Sequence, residues 1–396
     1  MARAKEFFIT ATAEPEAATS GTNVLAAIFG LLVIAGIAAG AYAFFVGHDV
    51  AYNNIREMPW GLLISTYAFL AITSTGLCLL ATISHIFGGN KLAPLANRMV
   101  WLSLVCIISA FFVIGMEIEN PLRMAIYNVI SPDLTSNIWW MGTLYGLAVG
   151  FMIVEFWLIL TKKYKAALVL GVLGALTEVG ANTCLGGVFA TLPSRPYWYG
   201  AQLPVSFLAC AFLSGAAAAV IFTHYSCIIR RKRMDSSVSD GIQSAGKVLL
   251  LMLVLVSVAT FWNMVSYFVG GSNAGRTAAE ALISGPLATN FWVFEVAIGL
   301  VAPILLLALT RVRSITAMSS AGLMVLVGMF FARYDMVVAG QIVPEFPGVN
   351  GLPTYFHYVP SSAEILVVLG GLGLCGFAFL MGERFFGRVF TGHGEH

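Results

Sequence analysis

Residues 60–87 read WGLLISTYAFLAITSTGLCLLATISHIF, 28 positions without an Asp, Glu, Lys or Arg. A helix needs about 20 apolar residues to cross roughly 30 Å of hydrocarbon, where each backbone amide must be satisfied inside its own segment. This stretch meets that demand, and others like it follow along the chain. Spans are expected near 24–46, 60–87, 98–116, 138–161, 164–189, 204–229, 246–269, 291–310, 315–341 and 361–382. Of 396 residues, 59% are hydrophobic and 10% charged, whereas soluble domains run near a quarter charged. The predicted fold class is all-α integral membrane with ten transmembrane helices, which leaves no room for a soluble catalytic domain.

The first 23 residues carry Arg3, Lys5, Glu6, Glu14 and Glu16 ahead of any apolar run. They lack the short apolar core and small-residue cleavage site of a signal peptide. Ten spans put both termini on one side, and that side collects 16 of the 21 Lys and Arg. Only Arg56, Arg123, Arg195, Arg276 and Arg333 fall on the other. By the positive-inside rule the termini are cytoplasmic. An incorrect span count would scramble this alternation. The run Arg230 to Arg233 is then a topology signal, and the net charge of +2 gives no sign of nucleic-acid binding.

An internal repeat is expected as well. Thr75-Gly76 precedes His85 by nine residues from the glycine, and Ser214-Gly215 precedes His224 at the same interval. His85 to His224 is an offset of 139, and Lys162 to Arg311 one of 149, the difference being taken up by the longer basic loop after span 6. Spans 5 and 9 both run into proline-bearing segments, 192–199 and 343–347. The chain is read as a cytoplasmic segment 1–23, span 1 at 24–46, a four-helix bundle over 60–189, a second, parallel one over 204–341, span 10 at 361–382 and a tail 383–396. The longer polar connections, 117–137, 190–203, 270–290 and 342–360, lie on the non-cytoplasmic side, where a partner would dock.

An ionisable group inside a span costs about 2.5–3.5 kcal/mol or more near the helix centre, so each needs a reason. Glu178 sits near the middle of span 5, Glu155 on the cytoplasmic half of span 4 and Glu295 on the outer half of span 8. Glu117, Glu119, Arg123, Arg333, Asp335 and Glu364 lie nearer the outer surface. Arg333 with Asp335, and Glu117 with Arg123, could neutralise each other structurally. Glu155 and Glu178 have no basic neighbour in sequence and read as protonated carboxyls in a wet cavity, which is how a proton path looks.

Six scattered cysteines without CxxC spacing cannot build an iron–sulfur site. Of the histidines only His85 and His224 lie in spans, so one haem between spans 2 and 6 is conceivable, but interfacial histidines account for the pair better. No phosphate loop, dinucleotide fingerprint or nucleophile elbow occurs. Aromatic residues at the outer ends, Trp60, Tyr67, Trp139, Trp140, Trp198 and Tyr199, suit an interfacial belt and equally the walls around a flat carbonyl-bearing ligand.

Several of these features together resemble one family. Pro59-Trp60-Gly61 opens span 2, Glu155-Phe156 lies in span 4, and Leu173-Gly174-Ala175-Leu176 precedes Asn182 and Gly186 in span 5. Pro196, Trp198 and Pro204 follow, then Trp292-Val293-Phe294-Glu295-Val296, Arg333, and Pro360 with Glu364-Ile365-Leu366. Over nearly the whole chain this is similar to the NrfD/PsrC family, most closely the ten-helix branch that includes the membrane subunit of periplasmic nickel–iron hydrogenase.

The resemblance implies a subunit without haem or iron–sulfur cluster of its own, seated in a bacterial or archaeal inner membrane. It would exchange electrons between menaquinone and a periplasmic iron–sulfur subunit, itself joined to further periplasmic catalytic or cytochrome subunits. The implied quinone site lies near the outer face of the first bundle, with Trp60, Tyr67, Glu117, Arg123, Trp140, Asn182, Arg195 and Tyr199 as its residues. The proton pathway is expected over Glu155, Glu178, Glu295, Arg333, Asp335 and Glu364. Where relatives often place a histidine on span 5 this chain has Ala181, so a histidine-assisted quinone protonation is not carried over, and Asn182 or Glu178 would have to substitute for the histidine. The hydrogenase-like branch favours menaquinone reduction. Two other classes stay open: an ion-coupled secondary transporter, disfavoured because Pro303 is the one proline deep in a span, and a haem b quinol-oxidising cytochrome, disfavoured by the histidines.

Overall fold

The structure is a computed structural model that describes residues 20–86, 89–230, 234–345 and 351–391. Arg3, Lys5, Glu6, Glu14 and Glu16, the basic residues Arg231 to Arg233, Phe346 and Pro347, and His393 and His396 lie outside the described residues. Among the described residues ten helices are long and apolar enough to cross a membrane. They are α1 (Ser20–Val46), α2 (Leu62–Ile86), α3 (Ala93–Glu117), α4 (Asn137–Leu160) and α5 (Tyr164–Ala190). The second half supplies α6 (Gln202–Ile229), α7 (Ser236–Gly270), α8 (Asn290–Leu309), α9 (Ile315–Ile342) and α10 (Ser362–Thr391). Among the described residues the remaining order is three short helices, at His48–Ala51, Pro121–Ile130 and Asn273–Ile283, and an isolated bridge between Ile55 and Met58.

Two helices outrun the apolar stretches that announce them. Helix α7 starts ten residues before 246 and α10 continues nine beyond 382, because backbone hydrogen bonding does not stop where apolarity does. Both extensions lie at the end of the bundle shared by the start of α1 and the end of α10, here termed the termini face.

Helix α2 is the centre of the molecule, buried over most of its length and packed on α3, α5, α6, α9 and α10. Its approach to α6 is close enough that a Cβ on Gly76 would strike the Ala211 carbonyl and the Gly215 Cα. Removal of the side chain is what lets two backbones meet at this distance. Helix α1 packs chiefly against α10, at the edge of the bundle.

At the termini face, Arg98 (α3), Arg230 (α6) and Glu383 (α10) form one buried ionic group. Arg98 Nε lies 2.7 Å and Arg230 Nη2 2.9 Å from Glu383 carboxylate oxygens. Arg230 also donates to the Gly387 and Glu383 carbonyls at 3.0 and 2.9 Å. The first arginine of the basic run therefore fastens α10 to the bundle in addition to any part in topology.

Helix α8 is wound as a π-helix over Asn290–Val301 before it returns to α-geometry at Ala302–Leu309. Pro303 has no N–H to donate, and in an α-helix its ring would press on the carbonyl of Gly299. The wider preceding turns relieve that clash, so the proline re-spaces α8 instead of breaking it.

Candidate functional site

A file of polar groups runs between α2 and its antiparallel neighbour α5. Glu178 on α5 is wholly buried. Its carboxyl oxygens meet Ser74 Oγ at 2.9 Å and Thr75 Oγ1 at 2.6 Å, both on α2. Ser74 in turn lies 3.0 Å from Ser103 Oγ on α3. The carboxyl is thus held by hydroxyls rather than by a cation or by an open cavity. Tyr145 of α4, also wholly buried, faces Tyr67 and Thr75 from the fourth side.

Toward the termini face the file continues two turns along α2 to Thr82, whose hydroxyl reaches the Gly171 carbonyl at 3.4 Å. A Cβ on Gly171 would collide with the Glu155 carboxyl, so Glu155 of α4 stands at this level. Seven residues of helix separate Thr75 from Thr82, about 10 Å at 1.5 Å per residue. Glu155 lines a cavity of about 470 Å³ together with His85, Asn90, Asn97, Tyr164 and Lys165. Of the two carboxyls expected in a cavity, Glu155 lines one; Glu178 is enclosed by side chains because the small hydroxyl residues of α2 and α3 fit around it.

Away from the termini face, Asn182 follows Glu178 by one turn of α5, about 6 Å. It is wholly buried, and neither Oδ1 nor Nδ2 has a hydrogen-bond partner. Tyr67 lies two turns beyond Thr75 on α2. Above them Trp60 stacks on Trp198 (ring centroids 5.4 Å apart, 29° between planes) and meets Phe189 edge-on at 5.1 Å.

Helix α9 fixes this aromatic group. Gln341 accepts from the Trp60 N–H at 3.1 Å and donates to the Trp60 carbonyl at 2.8 Å. Trp198 Nε1 donates to the Met336 carbonyl at 2.8 Å, and its ring occupies the space where a Cβ on Gly340 would be. Arg195 donates to the carbonyls of Gln341 (3.4 Å) and Glu57 (3.0 Å) and pairs with Glu345 at 3.5 Å.

A second cluster caps α2 on the same face. The Leu62 N–H, one of the unmet donors at a helix start, donates to Tyr358 Oη at 2.7 Å, and Tyr358 donates to Glu364. Glu364 also accepts from the N–H groups of Ser361 (2.7 Å) and Asn53 (3.2 Å). Glu117 accepts from Asn54 Nδ2 at 2.8 Å. Burial, with Glu364 adding to it, pushes the Tyr358 phenol far above its ordinary range, which keeps it a donor.

The expected quinone residues do not form one lining. Trp60, Tyr67, Asn182 and Arg195 belong to the file and its aromatic lid, and Glu117 to the neighbouring cluster. Arg123 and Trp140 stand apart, Arg123 over the Tyr127 ring at 5.3 Å and Trp140 donating to the Leu134 carbonyl at 3.0 Å. Tyr199 is largely exposed. Neither proposed neutralising pair forms: Glu117 binds Asn54, Arg123 faces an aromatic ring, Arg333 turns to Cys210 and Asp335 to Asn290. Arg333 and Asp335 are two apart on one helix, and such residues point in different directions.

The family model described as polysulphide reductase, NrfD, matches residues 50–345. The chain belongs to that NrfD family. Curated relatives cover most of its length. It is 21% identical to a selenate reductase subunit of Mesobacillus selenatarsenatis over 80% of this chain and 82% of the relative. Identity is also 21% to the Hdr-like menaquinol oxidoreductase integral membrane subunit of Archaeoglobus fulgidus, over 91% and 93%. It is 23% to a putative dimethyl sulfoxide reductase membrane subunit of Halobacterium salinarum, over 90% and 89%. The matched stretch holds the whole α2–α5 file, so this NrfD chain is an integral membrane protein whose polar column lies inside the family's common region.

Sequence reading missed Gln341, Tyr358 and the hydroxyls of Ser74, Thr75 and Ser103. Gln341 left a faint signal as an amide closing an otherwise apolar span. Serine and threonine are too common in membrane helices to stand out. Among the described residues no three or more His, Cys, Asp or Glu side chains are grouped so as to hold a metal ion.

Proposed function

We propose that this chain is the quinone-interacting membrane subunit of a multi-subunit respiratory oxidoreductase, exchanging electrons between menaquinone and a periplasmic iron–sulfur partner in the direction of quinone reduction. The carrying observation is Asn182, a buried amide with a donor and an acceptor both unmet, beneath an aromatic lid and one turn from Glu178. Unmet buried polar groups are costly; a ring carbonyl would accept from Nδ2, and the hydroxyl of the reduced ring would donate to Oδ1. The names of the relatives, a menaquinol oxidoreductase subunit and two reductase subunits, support the same class.

In this reading the termini face is cytoplasmic and protons enter by the Glu155 cavity. Glu155, Glu178 and the hydroxyls between α2 and α3 relay them toward Asn182 and Tyr67, since carboxyl and hydroxyl groups both accept and release protons. Electrons arrive from the partner, and Trp60, Tyr67, Asn182 and Arg195 hold the ring. The two groups of helices, 60–189 and 204–341, are parallel repeats in the same reading, supported by the meeting of the matched glycines Gly76 and Gly215.

The test is quinone-linked activity of the complex in proteoliposomes with a potential-sensitive dye. Glu178→Gln and Glu155→Gln are expected to keep assembly and quinone binding while slowing turnover or abolishing the electrical signal. Full rate and full signal in both variants would show that these carboxyls are not the path.

A further inference from the structure

Trp198 also borders a cavity of about 110 Å³ between α6, α7, α8 and α9, at the end of the bundle away from the termini face. Its charged members are Glu295, Arg333 and Asp335. Arg333 is 7% exposed and its guanidinium lies 4.7 Å over the Phe207 ring. Nη2 donates to Cys210 Sγ at 3.3 Å, a weak acceptor, and Nη1 has no partner. Asp335, 1% exposed, accepts from Asn290 Nδ2 at 3.2 Å through Oδ1, while Oδ2 is unpaired. A guanidinium carries five donors, and leaving them unmade in a buried place is costly.

The walls are aromatic. Tyr197 and Tyr267 stack with centroids 5.0 Å apart, and the Tyr267 hydroxyl donates to the Tyr197 carbonyl. Phe291 and Glu295, one turn apart on the π-helical part of α8, both reach the cavity. One guanidinium against two carboxyls gives no excess positive charge for an anion. Aromatic walls with an unmet cationic donor and an unmet carboxyl oxygen fit a neutral flat ring that carries oxygen.

We infer that this cavity is a second binding site, separate from the α2–α5 file, for an oxygen-bearing aromatic ring of the quinoid or hydroquinone class taken from the membrane. One ring oxygen accepts from Arg333 Nη1, and a ring hydroxyl, when present, donates to Asp335 Oδ2. The choice of ring rests on the reading above; the site itself rests on the unmet groups.

The experiment uses the full chain, purified in detergent with its accompanying subunits, and azido-2-methyl-1,4-naphthoquinone as photolabel, with labelled residues mapped by mass spectrometry. Label is expected at Tyr197 and at Tyr267, persisting in Asn182→Leu. It is expected to fall about tenfold in Arg333→Leu, as for loss of one charge-assisted hydrogen bond. Ala259→Phe fills the same cavity from α7 without touching a charge and should give the same loss, which guards against misfolding of the arginine variant. Label confined to the neighbourhood of Trp60 and Asn182, and indifferent to Ala259→Phe, overturns the second site and shows a cavity that holds only water. Label confined to the second cavity instead overturns the location given to the first site, and no label anywhere overturns both.

Discussion

Asn182 sets the sharpest expectation for a single side chain. If its unmet amide were a structural defect, removing it would be the whole effect. Asn182→Leu deletes two unpaired buried atoms, each costing about 1–3 kcal/mol, so the thermal stability of the solubilised protein should hold or rise. Quinone-linked turnover should fall by about tenfold or more, the worth of one good hydrogen bond to the ring. A variant that loses stability and turnover together would mark Asn182 as a packing residue. The sequence made Asn182 and Glu178 visible, because an amide or a carboxyl in the middle of an apolar run has to be explained. It did not show that Glu178 leans on Ser74 and Thr75, since a hydroxyl in a membrane helix commonly satisfies itself on its own backbone, as Thr73 does on the Phe69 carbonyl at 2.8 Å. Nor did it reveal that Arg333 and Asp335 part company, which depends on where neighbouring helices put Cys210 and Asn290.

Among the elements, the α2–α6 crossing is the least forgiving. Gly76→Leu would drive a branched side chain into the Ala211 carbonyl, so the chain should fail to accumulate as a monodisperse species in size-exclusion chromatography. Gly115→Ala meets nothing within 4 Å and should be silent in the same assay. At the termini face, Glu383→Ala leaves Arg98 and Arg230 buried without their shared carboxylate. Breaking a buried pair from one side costs about 3–5 kcal/mol, to be read as lowered resistance to denaturation in detergent. Equal stability would mean that water already screens the group. The existence of each span was legible from apolar length alone. Their ends were not, because α7 and α10 stay helical into polar sequence, and the π-helical winding around Glu295 has no marker beyond Pro303.

For the whole molecule, the proposed orientation rests on sixteen basic residues on one side against five on the other. Lys163 and Thr135 are both exposed, on connections at opposite faces. In intact cells an impermeant maleimide should react with Thr135→Cys and reach Lys163→Cys only after permeabilisation; the reverse order would invert the proposed topology and move the proposed docking face with it. The alternation of charge is what the proposed topology rests on, whereas the pairing of helices was beyond sequence reading, since any apolar face suits any other in lipid. One pairing bears on how the protein is made. Helix α1 leaves the ribosome first, yet its main neighbour α10 is made last. At about 5–20 residues per second, the first helix waits tens of seconds for its permanent contact. During biogenesis it must therefore be sheltered by lipid or by the insertion machinery, and a nascent chain stalled before residue 362 should expose it to membrane proteases that spare the finished protein.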